Sequence, residues 1–275
     1  MNALGKQTRI WVIIGLTVAI VALLSTDYAQ ALLKSKRHFV QHSIDARVRY
    51  EPGAEQYADA LADDLSDAVS RVEEIHGVPF KKVFTVYMCA TQASLNEYVA
   101  NPLHFPVRGT VPFGNVLIAP SAFHWHGEDT HKGTLRHELS HLLLKQYLGE
   151  IKNRTIIPVW FSEGLADVAC ECAGEGISDE TANRAIMAGR RFIPDTKNSL
   201  FKIKRASDYG VDYPMFHRQS HLLVAFMRDT YGLAFQALLA DIHSGTSFDR
   251  ACGEHLNVSP DTLWEAYIAN ISQVN

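Results

Sequence analysis

The segment from Thr130 to Leu148 constrains the fold most, because apolar residues recur on two opposite sides of a helix of this length. One stripe consists of Leu135, Leu139, Leu142 and Leu143, and the opposite stripe consists of His137, His141, Leu144 and Leu148. A helix that is apolar on both sides is buried on both sides. The sequence therefore predicts a helix that lies inside the protein and carries two buried histidines.

The two histidines belong to an HExxH pattern, His137-Glu138-Leu139-Ser140-His141. Histidines four positions apart on a helix point the same way and can share one zinc ion, at about 2.0–2.1 Å from each nitrogen. Glu138 lies about 100° around the helix from His137, which suits a general base that acts beside the metal. The alternative is a pair of structural histidines with hydrogen-bond partners, which we consider the weaker interpretation because a glutamate stands between them.

A second predicted helix, Val159–Cys172, carries two acidic residues four positions apart in an apolar segment. The alternative is a solvated acidic face, but the neighbouring residues leave little polar surface. Glu163 is the candidate third zinc ligand. Asp167 is the candidate acceptor for the second ring N–H of a ligand histidine, an arrangement that holds the imidazole in place.

HExxH followed by ExxxD on the next helix resembles the gluzincin metallopeptidases, the thermolysin-like superfamily. The fuller pattern, which continues into Pro158-Val159-Trp160-Phe161-Ser162-Glu163-Gly164-Leu165-Ala166, is similar to bacterial peptidase MA-like domains. The similarity spans about residues 38–275 and is most specific over 134–169. The metzincin pattern is excluded, because it needs glycine and histidine where this chain has Leu144 and Tyr147.

This resemblance implies a zinc peptidase with one zinc ion per chain and a peptide or protein substrate. Zinc would activate a water molecule and polarise the scissile carbonyl, and Glu138 would pass the water proton to the leaving amine. A catalytically silent zinc-binding or interaction domain is the rival, which the intact Glu138 argues against. A zinc hydrolase with another substrate is the third possibility.

The resemblance also implies two further parts of the site. In gluzincins an edge strand before the zinc helix pairs with the substrate backbone, and Gly114–Ala119 stands at that place in the chain. We therefore expect Asn115, Val116, Leu117 and Ile118 to bind substrate. A Tyr or His donor for the oxyanion is expected downstream, and we expect His217 in this role, with Tyr213 as the alternative; the simpler reading is that both only pack or cap a helix.

The order of predicted elements favours an α+β fold, with a small N-terminal α/β lobe followed by a mainly helical lobe. We expect one domain over residues 38–275, mixed over about 38–128 and helical over about 129–275. The predicted N-terminal elements are a strand Phe39–Tyr50, a helix Ala54–His76, a strand Val83–Met88, a helix Ala93–Ala100 and a strand or hairpin Gly109–Ala119. The predicted helices that follow the two metal helices are Asp179–Gly189, His217–Tyr231, Ala234–His243 and Pro260–Ile271.

Residues 1–31 read as a signal peptide or an N-terminal membrane anchor. Lys6 and Arg9 precede an uncharged apolar run over residues 10–24, and Ala29-Gln30-Ala31 matches a cleavage pattern. Cleavage near Ala31 and anchoring by residues 10–24 both stay open. Either one predicts an exported protein, periplasmic or otherwise extracytoplasmic, that contacts the membrane only through this segment.

The charge and cysteine content limit the remaining interpretations. The formal net charge is -4 and no long basic run occurs, so nothing indicates nucleic-acid binding. Cys89, Cys170, Cys172 and Cys252 are compatible with an oxidising compartment, but we interpret them as buried free thiols. His124, His126 and His131 read as a polar loop over the cleft rather than a second metal site. The oligomeric state stays open.

Overall fold

The structure is a computed structural model that describes residues 31, 33–99, 107–125, 129–172, 176–196, 204 and 206–274. The predicted signal or anchor run over residues 10–24 lies outside these residues, as does His126. Within the described part the fold is α+β, with one small sheet followed by helices, as the sequence predicts.

The sheet has five described strands in the order β1-β2-β3-β5-β4. The strands are β1 (Val40–Gln41), β2 (Val48–Tyr50), β3 (Val86–Met88), β4 (Gly109–Thr110) and β5 (Val116–Ile118). β2, β3 and β5 are parallel, whereas β1 and β4 run antiparallel to their neighbours. The predicted strand Phe39–Tyr50 is thus two strands, because Asp45 accepts hydrogen bonds from the backbone and side chain of Arg47 and folds the chain back.

The prediction that Gly114–Ala119 forms the edge strand is wrong. β5 lies between β3 and β4, so Val116, Leu117 and Ile118 are fully buried and both sides of their ladder are occupied. Asn115 lies in the preceding turn, where its side chain donates to the carbonyl of Phe113. A continuous run of branched apolar residues is typical of an internal strand. At this end of the described sheet the outer strand is β4.

Helices make up most of the remaining described chain. They are α1 (Glu55–His76), α2 (Gln92–Val99), α3 (His131–Ile156), α4 (Val159–Cys170), α5 (Asp179–Met187), α6 (Tyr213–Tyr231), α7 (Leu233–Ser244), α8 (Phe248–His255) and α9 (Leu263–Val274). α8 is a helix that the sequence analysis did not predict. α6 begins at Tyr213 rather than at His217, because Asp212 caps it by accepting from the Met215 N–H and Pro214 suits the first turn.

Helix α3, which carries the HExxH pattern, is longer than predicted and is interrupted once. Gly149, which was expected to end it, has φ 71° and ψ 167°, but helical structure resumes and continues to Ile156. A left-handed φ suits glycine, which has no Cβ to clash. The interruption redirects the last turns of α3.

Helix α4 packs against α3 on one side and against α6 on the other. The contact with α6 is close at Gly164, where an added Cβ would lie 2.4 Å from the carbonyl oxygen of Ser220. Glycine at this position therefore sets the distance between the two helices. As a result, side chains of α3, α4 and α6 meet in one place.

The prediction of buried free thiols is right for two of the four cysteines and wrong for the other two. Cys89 and Cys252 are free and buried, as predicted. Cys170 and Cys172 instead form a disulfide, so the prediction of free thiols is wrong for this pair. Glu171 adopts a left-handed conformation, with φ 59°, at the end of α4. That turn brings the two side chains together, and its conformation is not visible in the residue pattern.

No single described helix is both long and apolar enough to cross a membrane. α6 and α7 pass that test only when they are joined, and they meet at a bend of 117°.

Candidate metal centre

His137 and His141 lie one turn apart on α3 and face α4. Their Nε2 atoms are 3.1 Å from each other. The Nδ1 atom of His137 lies 3.1 Å from a carboxylate oxygen of Asp167, and the Nδ1 atom of His141 lies 3.3 Å from the hydroxyl of Ser162. Because each Nδ1 has a partner, both rings present Nε2 to the same point.

Glu163, in the first half of α4, brings a carboxylate oxygen to that point. Its Oε2 lies 3.4 Å from Nε2 of His137 and 3.5 Å from Nε2 of His141. Three donors on a tetrahedral zinc, each about 2.0–2.1 Å from the metal, would lie roughly 3.3–3.4 Å apart. The distances among these donor atoms match that triangle, and the two-imidazole, one-carboxylate set is a donor set typical of zinc. The residues present therefore fit a zinc ion.

Asp167 is buried, with 2% of its surface exposed, and it links two histidines. One oxygen accepts from Nδ1 of His137, and the other lies 2.9 Å from Nδ1 of His217 on α6. Burial alone would raise the pKa of Asp167, but the two imidazoles hold the pKa below its usual value. Asp167 is thus placed as the sequence predicts, with a second partner that the sequence did not indicate.

Glu138 lies on the side of α3 that faces the sheet, next to β4. An added Cβ at Gly109 would lie 2.7 Å from Cγ of Glu138, so glycine in the strand makes room for this side chain. Glu138 is buried, and burial raises the pKa of its carboxyl above the usual value. A carboxyl whose pKa is closer to neutrality is suited to accept and return a proton.

The two candidate oxyanion donors lie together, but only one of them faces the cleft. A cavity of about 380 Å³ is bounded by the three donor residues, Glu138, β4 and Tyr213. Tyr213 is 66% exposed, whereas His217 lies behind it, 8% exposed, with the two ring centroids 4.4 Å apart. Since Nδ1 of His217 is bound to Asp167, the geometry favours the alternative donor, Tyr213, over His217.

Several residues of the cavity were not identified from the sequence. They are Gly109, Thr110, Val111, Lys145, Asn153, Arg154, Ile157 and Ser162. Lys145 follows His141 by one helical turn, so its position on the metal face of α3 was a signal that could have been read. Arg154 follows the interruption at Gly149, and no local sequence pattern predicts that it borders the cavity.

The other histidines near the N-terminal end of α3 have structural partners. His131 bonds to Asp64 on α1, at 2.7 Å, and to Asp129. His124 lies 3.1 Å from the hydroxyl of Tyr57. Within the described ranges neither histidine belongs to a cluster of metal-binding side chains. His131 is buried and is the first residue of α3, so the polar-loop interpretation is wrong for this residue.

Comparison with known proteins adds support for the fold. The chain is similar to the solved structure of native yeast LTA4 hydrolase, with a TM-score of 0.53, 12% identity and 84% of this chain covered. The similar region is 39% of that protein, so this chain corresponds to about two fifths of its length. No family model and no curated protein matches the sequence. At this identity the likeness shows a shared fold.

Proposed function

We propose that this protein is a zinc-dependent peptidase of the gluzincin type. The observation that carries the proposal is the meeting of His137, His141 and Glu163 at zinc-ligand spacing, with Glu138 buried beside them. The likeness to a protein that is named a hydrolase supports a hydrolytic function. A purely structural zinc site needs no buried carboxyl next to an open cavity, which argues against a silent domain.

When bound, zinc supplies Lewis acidity, which makes a water molecule more acidic and polarises a carbonyl group. Glu138 accepts the proton of the attacking water and returns it to the leaving amine. Asp167 keeps His137 in the tautomer whose Nε2 carries a lone pair, because Nδ1 donates its hydrogen to the carboxylate. Ser162 is placed to orient His141 in the same way.

Tyr213 is the proposed donor to the oxyanion of the tetrahedral intermediate. Its ring borders the cavity, and a phenol donates one O–H hydrogen bond. The carboxylate of Asp167 and the ring of His217 lie behind it. His217 thus serves as a support for Tyr213 and for Asp167 in this scheme.

Strand β4 takes the substrate-pairing role that the sequence analysis gave to Gly114–Ala119. In the described sheet β4 has a partner on one side only, β5, and its residues Gly109 and Thr110 border the cavity beside Glu138. An extended peptide that adds to a strand edge is bound mainly through its backbone. Pairing with β4 therefore adds little side-chain specificity of its own.

The protein is proposed to act outside the cytoplasm, exported through its N-terminal segment. The disulfide between Cys170 and Cys172 supports this, since disulfides persist in oxidising compartments. A C-terminal fusion to a reporter that is active only after export should give signal. A signal seen only from a reporter that works in the cytoplasm would contradict the proposal.

Peptide hydrolysis with and without metal tests the function. Protein lacking residues 1–31 is incubated with a diverse peptide mixture, and the products are identified by mass spectrometry. We expect cleavage by the zinc-loaded protein, loss of cleavage with a chelator, and recovery when zinc is returned. Glu138→Gln is the matched control, because it is nearly isosteric but cannot accept the proton; it should bind zinc without turnover. Cleavage that persists in Glu138→Gln would contradict the assignment.

A further inference from the structure

Beyond the metal centre, the cleft continues toward the C-terminal half of α3, where its wall changes character. Near the candidate metal centre the wall of the cavity consists of carboxylate and imidazole side chains. Further along, two cationic side chains, Lys145 and Arg154, border the same cavity, and Asn153 lies with them. We propose that this end of the cleft binds a carboxylate group of the substrate through Lys145 and Arg154. The inference rests on the proposed peptidase function and defines its substrate class.

The ammonium group of Lys145 is fixed by one hydrogen bond and keeps further N–H donors for a ligand. Its Nζ donates to the carbonyl of Val111, just after β4, at 2.6 Å, and its side chain is only 22% exposed. An ammonium group has three N–H donors, so two remain for a ligand. The carboxylate of Glu150 lies 3.6 Å away, which is an ion-pair distance but too long for a hydrogen bond.

The side chain of Arg154 is half-buried, and within the described residues it makes no ion pair or hydrogen bond. Burial lowers the pKa of Lys145, the carboxylates of Glu150 and Glu138 oppose this shift, and the charge of Arg154 adds a smaller lowering effect. Like charges placed together on a partly enclosed wall repel each other unless an anion joins them. The carboxylates of Glu150 and Glu138 both act on Lys145, whereas no carboxylate of the described residues forms an ion pair with Arg154, so Arg154 is the cation that an incoming anion would meet.

The amide of Asn153 is a second sign of a missing ligand. Its side-chain oxygen is buried and has no hydrogen-bond partner among the described residues. A buried acceptor without a donor is costly, and an ionised carboxylate has no hydrogen to give it; a backbone N–H of a substrate that enters the cavity supplies one. An amide also carries two N–H donors, which a carboxylate accepts.

The position of the cationic pair indicates which part of a peptide would reach it. Lys145 follows His141 by one turn of α3, which is about 6 Å along the helix axis. An extended peptide advances about 3.3 Å per residue. The carboxylate therefore belongs one or two residues from the scissile bond. It is either an Asp or Glu side chain or the C-terminal carboxylate of a short peptide.

The test uses matched peptides that differ only in charge. One series exchanges Glu for Gln at each of the two positions on both sides of the scissile bond. The other compares the free C-terminal acid with its amide. A charge-assisted contact predicts that the acidic member is preferred about 10- to 100-fold in kcat/KM. A preference only in the first series assigns a side chain, and a preference only in the second assigns the C-terminus.

Substitutions of Arg154 test whether this residue causes the preference for acidic peptides. Arg154→Gln should bring the acid-to-amide ratio down to within about threefold of one, and Arg154→Glu should reverse it. Lys152→Gln is the matched control, because it removes one charge from an exposed position two residues away that does not border the cavity. The control should keep the wild-type ratio. Equal kcat/KM for acid and amide peptides, or an unchanged ratio in Arg154→Gln, would overturn the proposal.

A binding arm separates failure of this inference from failure of the peptidase function. Fluorescently labelled acid and amide peptides are titrated with zinc-loaded Glu138→Gln protein, and binding is followed by anisotropy. If the wild type cleaves no peptide, the proposed function fails, yet tighter binding of the acidic peptides that Arg154→Gln abolishes still supports the carboxylate subsite. Equal affinity for both peptides overturns it.

Discussion

The double hydrogen bond to Asp167 makes Asp167→Asn the most informative single change. The carboxylate accepts from Nδ1 of His137 at 3.1 Å and from Nδ1 of His217 at 2.9 Å, and it is buried. Asparagine has one oxygen, so it can accept from only one of the two rings, and its NH₂ group faces the other. If His137 is the ring that loses its acceptor, its hydrogen moves to Nε2 and blocks the lone pair aimed at the metal.

The loss of an acceptor behind a ligand histidine typically weakens metal binding about 10- to 100-fold, which corresponds to about 1.4–2.8 kcal/mol. Zinc affinity is measured by competition with a chromophoric chelator at fixed pH. His217→Gln is the control, because it removes the other partner and leaves the contact between His137 and Asp167 intact. We expect it to change zinc affinity by less than about threefold. An Asp167→Asn protein that stays folded and binds zinc within twofold of wild type would refute the reasoning.

Three further outcomes follow from close contacts and buried groups elsewhere. Gly164→Ala should lower the free energy of unfolding in urea by about 1–3 kcal/mol or more, because the added methyl group meets the Ser220 carbonyl; an unchanged value would contradict the close packing. Burial, with a smaller effect from a nearby lysine, lowers the pKa of His243 to about 4. The unfolded chain then binds more protons than the folded one between about pH 6.5 and 4, so stability should fall by on the order of 3 kcal/mol as pH drops through this window. His243→Gln should flatten that fall, and an equal pH dependence would show that this group is not responsible. Tyr213→Phe should lower kcat about 10²- to 10³-fold with KM little changed, and full activity with zinc bound would place the oxyanion donor elsewhere.

The candidate metal ligands and Asp167 could be identified because their spacing is local. His137 and His141, and likewise Glu163 and Asp167, stand four apart on helices that apolar periodicity marks clearly. The structure then brings all four residues together. The spacing could not predict that His217 contacts Asp167. This contact depends on the way α6 packs against Gly164 of α4.

The strand order could not be predicted from the same information. Residues 114–119 precede α3 and were predicted to form a strand, which is correct for Val116–Ile118. Whether a strand lies inside a sheet or at its edge depends on partners that are distant in sequence. Here the short strand β4, which was predicted as part of the same strand or hairpin, pairs with β5 and forms the outer strand. Its two residues are too few to show a periodic pattern.

Two left-handed turns account for other differences between expectation and structure. Glu171 turns the chain so that Cys170 and Cys172 meet, and a non-glycine residue in this conformation leaves no sequence signal. Gly149 was expected to end α3, but the chain only changes direction there and the helix continues to Ile156. The continuation carries Arg154 to the cleft, so the cationic wall is visible only in three dimensions.

Metal content tests the central claim most directly. The wild-type protein and Glu163→Ala are reconstituted with zinc, freed of loosely bound metal, and analysed by elemental mass spectrometry with the protein concentration measured in parallel. Three protein donors at zinc spacing predict about one zinc per wild-type chain and a much lower content in Glu163→Ala, which loses one donor. A folded wild-type protein that retains no zinc, or a Glu163→Ala protein that retains as much zinc as wild type, would contradict the account.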